Sequence, residues 1–198
     1  MPTTPPDERT VLLRYLREAR ESLVWKLDGL GERDVRRPLT ATGTNLLGLV
    51  KHCAGIEIGY FGSTFGREWP GGEPAWLSED APANTDMWAT ADEPADDLVA
   101  LYRSVWAFAD ELLENAPLDT LGRVPWWPAE RATVTLRQIA MHVATELSRH
   151  AGHADIVREL VDGAAGLRPA APNLPGLSAE GWSSYVARLQ AVADSFEA

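Results

Sequence analysis

Apolar residues recur at helical spacing in four long segments of the chain. From Asp7 to about Leu30 they follow an acidic first turn and form a stripe (Leu12, Leu16, Leu23 and Leu27), which predicts an amphipathic helix. The same pattern predicts three further helices, from near Thr44 to Gly66, from Pro94 to Ala116, and from Thr135 to about Leu160. Thr135 and Gln138 have the spacing of a capping box at the start of the fourth helix.

A Pro, Gly and Ala-rich segment, "DGAAGLRPAAPNLPG", separates these helices from a fifth predicted helix that begins near Ser178. Its apolar residues again lie at helical spacing and are expected to dock it on the others (Trp182, Tyr185, Val186, Leu189, Val192 and Phe196). The chain shows no clear alternating run of β-branched residues bounded by hairpin turns. The sequence therefore predicts an all-α fold with two long, tryptophan-containing connections.

The composition limits the number of domains and the kinds of partner. A chain of 198 residues is long enough for one compact domain, so we expect a single domain over residues 1–198. The net charge of -11 repels phosphate backbones and anionic lipids, which argues against nucleic-acid and membrane partners. The absence of a leader-like N-terminus and the single cysteine, Cys53, favour a reducing, cytoplasmic location.

The segment "MHVATELSRHAGHAD" places His142, Glu146, His150 and His153 on one side of the fourth helix. They cannot all bind one ion, because residues eight apart are separated by about 12 Å along a helix axis. On a helical wheel, Glu146 and His150 approach the apolar stripe, whereas His142 and His153 point further away from it. Glu146 and His150 are therefore expected to need buried partners.

His52, in the second predicted helix, shares a stripe with Gly48, Gly55 and Gly59. Glycines weaken a helix, so their presence at this spacing indicates close approach of another group or an opening. His52 is then expected to face a neighbour at short range. On the other side of this helix Cys53 is interpreted as a core residue, while Glu57 needs a partner that the sequence does not identify.

From spacing alone the histidine motif has three explanations: a metal site, a buried polar network, or the solvated face of a helix. The chain has no HExxH or CxxC signature that would decide between them.

Two segments resemble a known family. "TNLLGLVKHCAGIEIGYFG" and, some ninety residues later, "LRQIAMHVATELSRHAGHADIVREL" are similar to the DinB/YfiT-like metalloprotein superfamily. The similarity is closest to its actinobacterial branch, which includes mycothiol-dependent maleylpyruvate isomerase and domains of unknown function. The resemblance implies a four-helix bundle with long crossover connections, here followed by a C-terminal helix.

The resemblance also implies a divalent metal, zinc or nickel before others, held at one end of the bundle. Carried over residue by residue, the ligands are His52, Glu146 and His150; glutamate at the second position is typical of the isomerase branch. His142 and His153 are then not ligands but candidates for contacts behind the ligands or for proton handling. His153 stands where glutamine is more usual in the family.

The function implied is a metal-dependent S-transferase that joins a low-molecular-weight thiol, such as mycothiol, to a small electrophile. Three protein ligands leave a metal with open positions, where a thiol would be bound as the nucleophilic thiolate. Two alternatives stay open: a metal-dependent hydrolase, and a non-catalytic, metal-stabilised stress-response or interaction domain.

The aromatic residues of the long connections and of the C-terminal helix each have two explanations. Trp126 and Trp127 in "VPWWPAE" either form a wall of the substrate pocket or belong to the core. The C-terminal helix, with Trp182, Tyr185 and Phe196, either contributes to a homodimer or caps its own bundle.

Overall fold

The computed structural model describes residues 5–196, and this part of the chain is mostly helical. The helices and strands follow in the order α1 (Glu8–Trp25), α2 (Glu32–Arg36), α3 (Leu46–Phe61), α4 (Ala95–Asn115), β1 (Leu121–Arg123), β2 (Thr133–Thr135), α5 (Leu136–Asp162) and α6 (Ala179–Ala193). The five helices predicted from the sequence are confirmed. The five-residue α2 was not predicted, because so short a helix contains too few positions for a periodic pattern.

Polar side chains cap the first turns of three of the long helices, α1, α3 and α5. The Asp7 carboxylate accepts a hydrogen bond from the Thr10 backbone amide at the start of α1, and Asn45 accepts one from Gly48 at the start of α3. Thr135 caps α5 in the same way by accepting from the Gln138 amide, which is one of the two hydrogen bonds of the predicted capping box. These side chains replace backbone partners that the first turn of a helix lacks.

The four long helices α1, α3, α4 and α5 form one packed core. Helix α1 contacts α4 and α5, and α3 also contacts both of them. Helix α3 lies between its neighbours with both faces covered. This explains why its own buried apolar residues are spread around the helix rather than along one stripe (Leu46, Leu47, Leu49, Val50, Cys53, Ala54, Ile58 and Phe61). Cys53 is completely buried, so its interpretation as a core residue is confirmed.

A small antiparallel sheet corrects the expectation of a purely α fold. Strands β1 and β2 pair in a register that places Gly122 opposite Val134. Each strand has three residues, too few to show the alternation by which a strand is recognised in a sequence. The hairpin closes the connection that carries Trp126 and Trp127.

Glu57 finds its partner in Arg20 of α1, which the sequence did not identify. Both side chains are fully buried, and Arg20 Nη2 donates to Glu57 Oε2 at 2.5 Å. Arg20 also pairs with Asp110 of α4 at 2.6 Å, so this buried ion pair links three helices. Burial raises the pKa of Glu57, and the Arg20 guanidinium opposes that rise.

The chain divides into two compact units, residues 1–165 and residues 166–198. The second unit contains α6, which Ser178 caps and in which the rings of Trp182 and Tyr185 pack at 5.8 Å. The predicted docking of this helix, its place in a dimer and the single-domain organisation stay predictions. Within residues 5–196 no helix combines the length and apolar character needed to cross a membrane.

Candidate functional site

The site is built around two histidines that face each other across α3 and α5. The ring centroids of His52 and His150 are 4.7 Å apart, and the rings meet edge to face. The expectation that His52 has a neighbour at short range is therefore confirmed. His150 is buried, whereas about a quarter of the His52 side chain is exposed at 24%. Within the pair, His150 thus lies on the core side and His52 on the solvent side of the contact between α3 and α5.

Glu146 lies one turn before His150 on α5 and points to the same place. Its Oε2 is 3.7 Å from His150 Nε2, and its side chain is 35% exposed. The helical wheel predicted that Glu146 and His150 lie nearest the core. The structure confirms this for His150, which is buried, whereas Glu146 and His142 are both half-buried and His153 is exposed. His150 therefore lies beside both the His52 imidazole and the Glu146 carboxylate in the α3–α5 seam.

His150 is a neutral, incompletely satisfied base in this position. Burial, followed by the neighbouring His52, His153 and Arg149, lowers the pKa of His150 to about 4. Within the described residues its Nδ1 is buried and has no hydrogen-bond partner. A buried ring nitrogen without a partner is costly, so this atom indicates that something else binds here when the protein works.

Asp86 completes the surroundings of His52 from a distant part of the chain. It lies in a short 3-10 turn (Thr85–Met87) between α3 and α4, and its Oδ2 is 2.5 Å from His52 Nδ1. In the tautomer with hydrogen on Nδ1, His52 donates a hydrogen bond to Asp86, and the Nε2 lone pair is then free to bind another group. This carboxylate–histidine contact is the arrangement that orients metal-binding histidines in proteins.

The glycine stripe of α3 is the surface against which both long connections pack. A Cβ on Gly55 would lie 2.9 Å from Leu77 Cδ2 and 3.0 Å from a ring atom of Trp76. A Cβ on Gly59 would lie 2.9 Å from the Trp126 ring. One on Gly48 would collide with the Met87 backbone carbonyl. The interpretation of the glycines as points of close approach is confirmed.

A second cluster of rings lies further along the same seam. Tyr60 of α3 packs against His142 of α5 with ring centroids 4.7 Å apart, and His142 also packs against Trp127 at 5.2 Å. Trp126 meets the Tyr60 ring at 5.1 Å.

At the other end of the seam, His153 packs against His150 with ring centroids 5.6 Å apart, and its side chain is exposed. The two histidines that were not predicted as ligands thus lie on opposite sides of the central pair.

A family model described as mycothiol S-transferase matches residues 11–163, which include every residue of this site. The chain belongs to the mycothiol S-transferase family. This family is part of the DinB/YfiT-like superfamily, so the resemblance seen in the two sequence motifs is confirmed. No curated protein matches the chain.

In this member of the mycothiol S-transferase family, the donor set fits a divalent metal in its chemistry. Two imidazoles and a carboxylate suit zinc, nickel and related ions, and Nδ1 of His150 has no other partner among the described residues. As the side chains stand, however, no group of three or more His, Cys, Asp or Glu residues within 5–196 is arranged to hold an ion. Binding would require the three side chains to draw together.

Asp86 is the site residue that sequence reasoning missed in this mycothiol S-transferase family member. It lies 34 positions after His52 in an irregular connection that contains several other acidic residues, so spacing gives no signal for it. The available signal was indirect. Gly48, one turn before His52, indicated in the sequence that some group approaches α3 closely at this point. The structure shows that this group is the Met87 carbonyl, next to Asp86 in the connection.

Replacing Gly48 by alanine tests this close approach. The added methyl group would push the Met87 carbonyl away and displace the neighbouring Asp86 from His52. We expect the free energy of unfolding to fall by about 1–3 kcal/mol, as for overpacking elsewhere, measured by urea denaturation. Gly152→Ala is the matched control, since a Cβ there meets nothing within 4 Å. Equal stability of the two variants would contradict the close packing.

Proposed function

We propose that the protein is a metal-dependent S-transferase that joins mycothiol to a small electrophile. The observation that carries the proposal is the position of His150 beside both His52 and Glu146 in the α3–α5 seam, with Asp86 behind His52. The family match supports a thiol, rather than the water of a hydrolase, as the nucleophile. The contacts between α1, α3, α4 and α5 support the DinB-type four-helix arrangement as part of the same proposal.

His52, Glu146 and His150 are the proposed ligands of the metal, with zinc or nickel as the first candidates. When bound, such an ion lowers the pKa of a coordinated thiol and favours the nucleophilic thiolate. His150 suits this function because its pKa of about 4 keeps it neutral near pH 7, and a ligand nitrogen must be unprotonated. Asp86 orients His52 by accepting a hydrogen bond from Nδ1–H.

The remaining residues handle the proton and the charge of the reaction. The thiol proton must leave before sulfur attacks, and His153 is placed to accept it because its ring is next to His150 and open to solvent. The sulfur lone pair then forms the new bond to an electrophilic carbon. In a substitution, the leaving group departs with the electron pair of the broken bond; in an addition, the proton returns to the product.

The experiment that tests the metal site is elemental analysis of protein purified without a histidine tag. We expect about one divalent ion per chain in the wild-type protein and almost none in His52→Ala or Glu146→Ala, because each removes one of three ligands. Asp86→Asn should retain the ligands but bind zinc about 10–100-fold more weakly in a competition titration with a chelator.

Two results would contradict this assignment. A wild-type protein that binds no metal, even after dialysis against zinc or nickel, would favour a buried polar network with a non-catalytic function. An Asp86→Asn variant with unchanged zinc affinity would show that Asp86 does not orient a ligand.

A further inference from the structure

The seam between α3 and α5 carries two layers of facing side chains, not one. His52 faces His150, and Tyr60 faces His142, each pair with ring centroids 4.7 Å apart. In each helix the two positions are eight residues apart, and the numbering runs in opposite directions, so the helices are antiparallel here. Eight residues of helix correspond to about 12 Å along the axis. The second layer is therefore about 12 Å from the proposed metal ligands, a distance that one small molecule can span.

Several contacts fix the positions of the rings in the second layer relative to α3. Trp127 Nε1 donates a hydrogen bond to the Tyr60 hydroxyl oxygen at 3.2 Å. Trp126 rests on the backbone of α3 at Gly59, where no other residue leaves room for the ring. Because the Tyr60 oxygen accepts from Trp127, its own proton is free to be donated to a further acceptor. The layer thus combines fixed aromatic rings with a hydroxyl donor and the imidazole of His142.

Trp126 packs against α3 with part of its ring and exposes the rest to solvent. Its side chain is 53% exposed, although it contacts Tyr60 and the Gly59 position. Together with the partly buried rings of Tyr60, Trp127 and His142, it forms a contiguous aromatic surface of which one side is open to a ligand. The face of an indole carries partial negative charge, so it complements the polarised C–H groups on one face of a polyhydroxylated ring.

We propose that this aromatic layer, formed by Tyr60, Trp126, Trp127 and His142, binds the polyhydroxylated part of the thiol substrate. The proposal rests on the proposed function, which places the sulfur atom at His52, Glu146 and His150. A single cysteine unit extends only about 3.5 Å and cannot reach the second layer, whereas a cysteine-derived thiol attached to two linked rings can. The Trp126 ring packs on the C–H face of one ring, and Tyr60 and His142 bind its hydroxyl groups. The layer thereby selects a large, sugar-bearing thiol over a small one.

The test compares two thiols on the zinc-loaded protein, mycothiol and N-acetylcysteine, the second of which lacks the rings. We expect Trp126→Ala to raise the Kd for mycothiol, measured by calorimetry, about tenfold, and to change the Kd for N-acetylcysteine less than about twofold. Gly59→Ala, which displaces the Trp126 ring without removing it, should act in the same direction. Tyr15→Ala is the matched control, since Tyr15 is an equally exposed aromatic residue of α1, at 55%.

The outcomes separate this inference from the proposed function. Equal loss of affinity for both thiols, or no loss for either, would overturn the inference. So would a rise of KM for the electrophile alone in transfer assays, because the layer would then bind the other substrate. A different result would overturn the proposed function alone: Trp126→Ala weakens mycothiol binding, but the wild-type protein transfers mycothiol to no electrophile. The inference that the aromatic layer binds the thiol would then still hold.

Discussion

Replacing His150 by alanine is expected to abolish both stoichiometric metal binding and thiol transfer, whereas replacing His142 should leave the metal in place. His150 lies against His52 and Glu146, and its loss would leave two protein ligands where catalytic zinc sites use three. His142 lies about 12 Å away along the same helix, among Tyr60 and Trp127. Metal per chain, determined by elemental analysis on both variants, gives the comparison.

The two variants control for each other, because both remove an imidazole from the same face of α5. Far-ultraviolet circular dichroism should show that both retain the helical content of the wild type. Equal loss of metal from both would mean that the wrong pair of α5 residues was chosen as ligands. Retention of metal in His150→Ala, with loss in His142→Ala, would move the site to the aromatic layer.

The largest effect on stability is expected at the buried ion pair between Arg20 and Glu57. Arg20→Met would leave the fully buried Glu57 carboxylate without its cation, which we expect to lower the free energy of unfolding by about 3–5 kcal/mol. The double variant Arg20→Met, Glu57→Leu removes both charges and should recover at least half of that loss. Urea denaturation of the single and double variants measures the difference.

Arg17 provides the matched control for this prediction. It also pairs with Asp110, but its side chain is 49% exposed, so Arg17→Met should cost less than about 1 kcal/mol. A loss in Arg20→Met as small as that in Arg17→Met would show that the buried pair contributes little. A double variant less stable than Arg20→Met would show that Glu57 is stabilised by other groups.

Local pattern was sufficient to predict the long helices and part of the site. Helical spacing identifies the helices because each buries one face, and for the same reason the wheel for α5 correctly placed His150 near the core. It did not separate Glu146 from His142, which are both half-buried. The glycines at 48, 55 and 59 predicted close approach because a side chain in those places would collide with another group. The ligand set itself came from the family resemblance and stays a proposal.

The features that were missed depend on contacts between distant segments. Arg20 and Glu57 lie 37 positions apart, and nothing in the periodicity of α1 marks a buried arginine as the partner of a glutamate in α3. Asp86 reaches His52 from an irregular connection, and the three-residue strands are fixed by pairing with each other. Such contacts follow from tertiary packing, which the spacing of residues along one helix does not contain.

The central claim is that the chain uses a metal at His52, Glu146 and His150 to transfer mycothiol. The most direct test is the initial rate at which mycothiol is consumed with an alkylating electrophile, measured on metal-free protein before and after one equivalent of zinc or nickel is added. We expect a low rate for the metal-free protein, recovery with one equivalent of metal, and no recovery in Glu146→Ala. An equal rate with and without metal, or full recovery in Glu146→Ala, would contradict it.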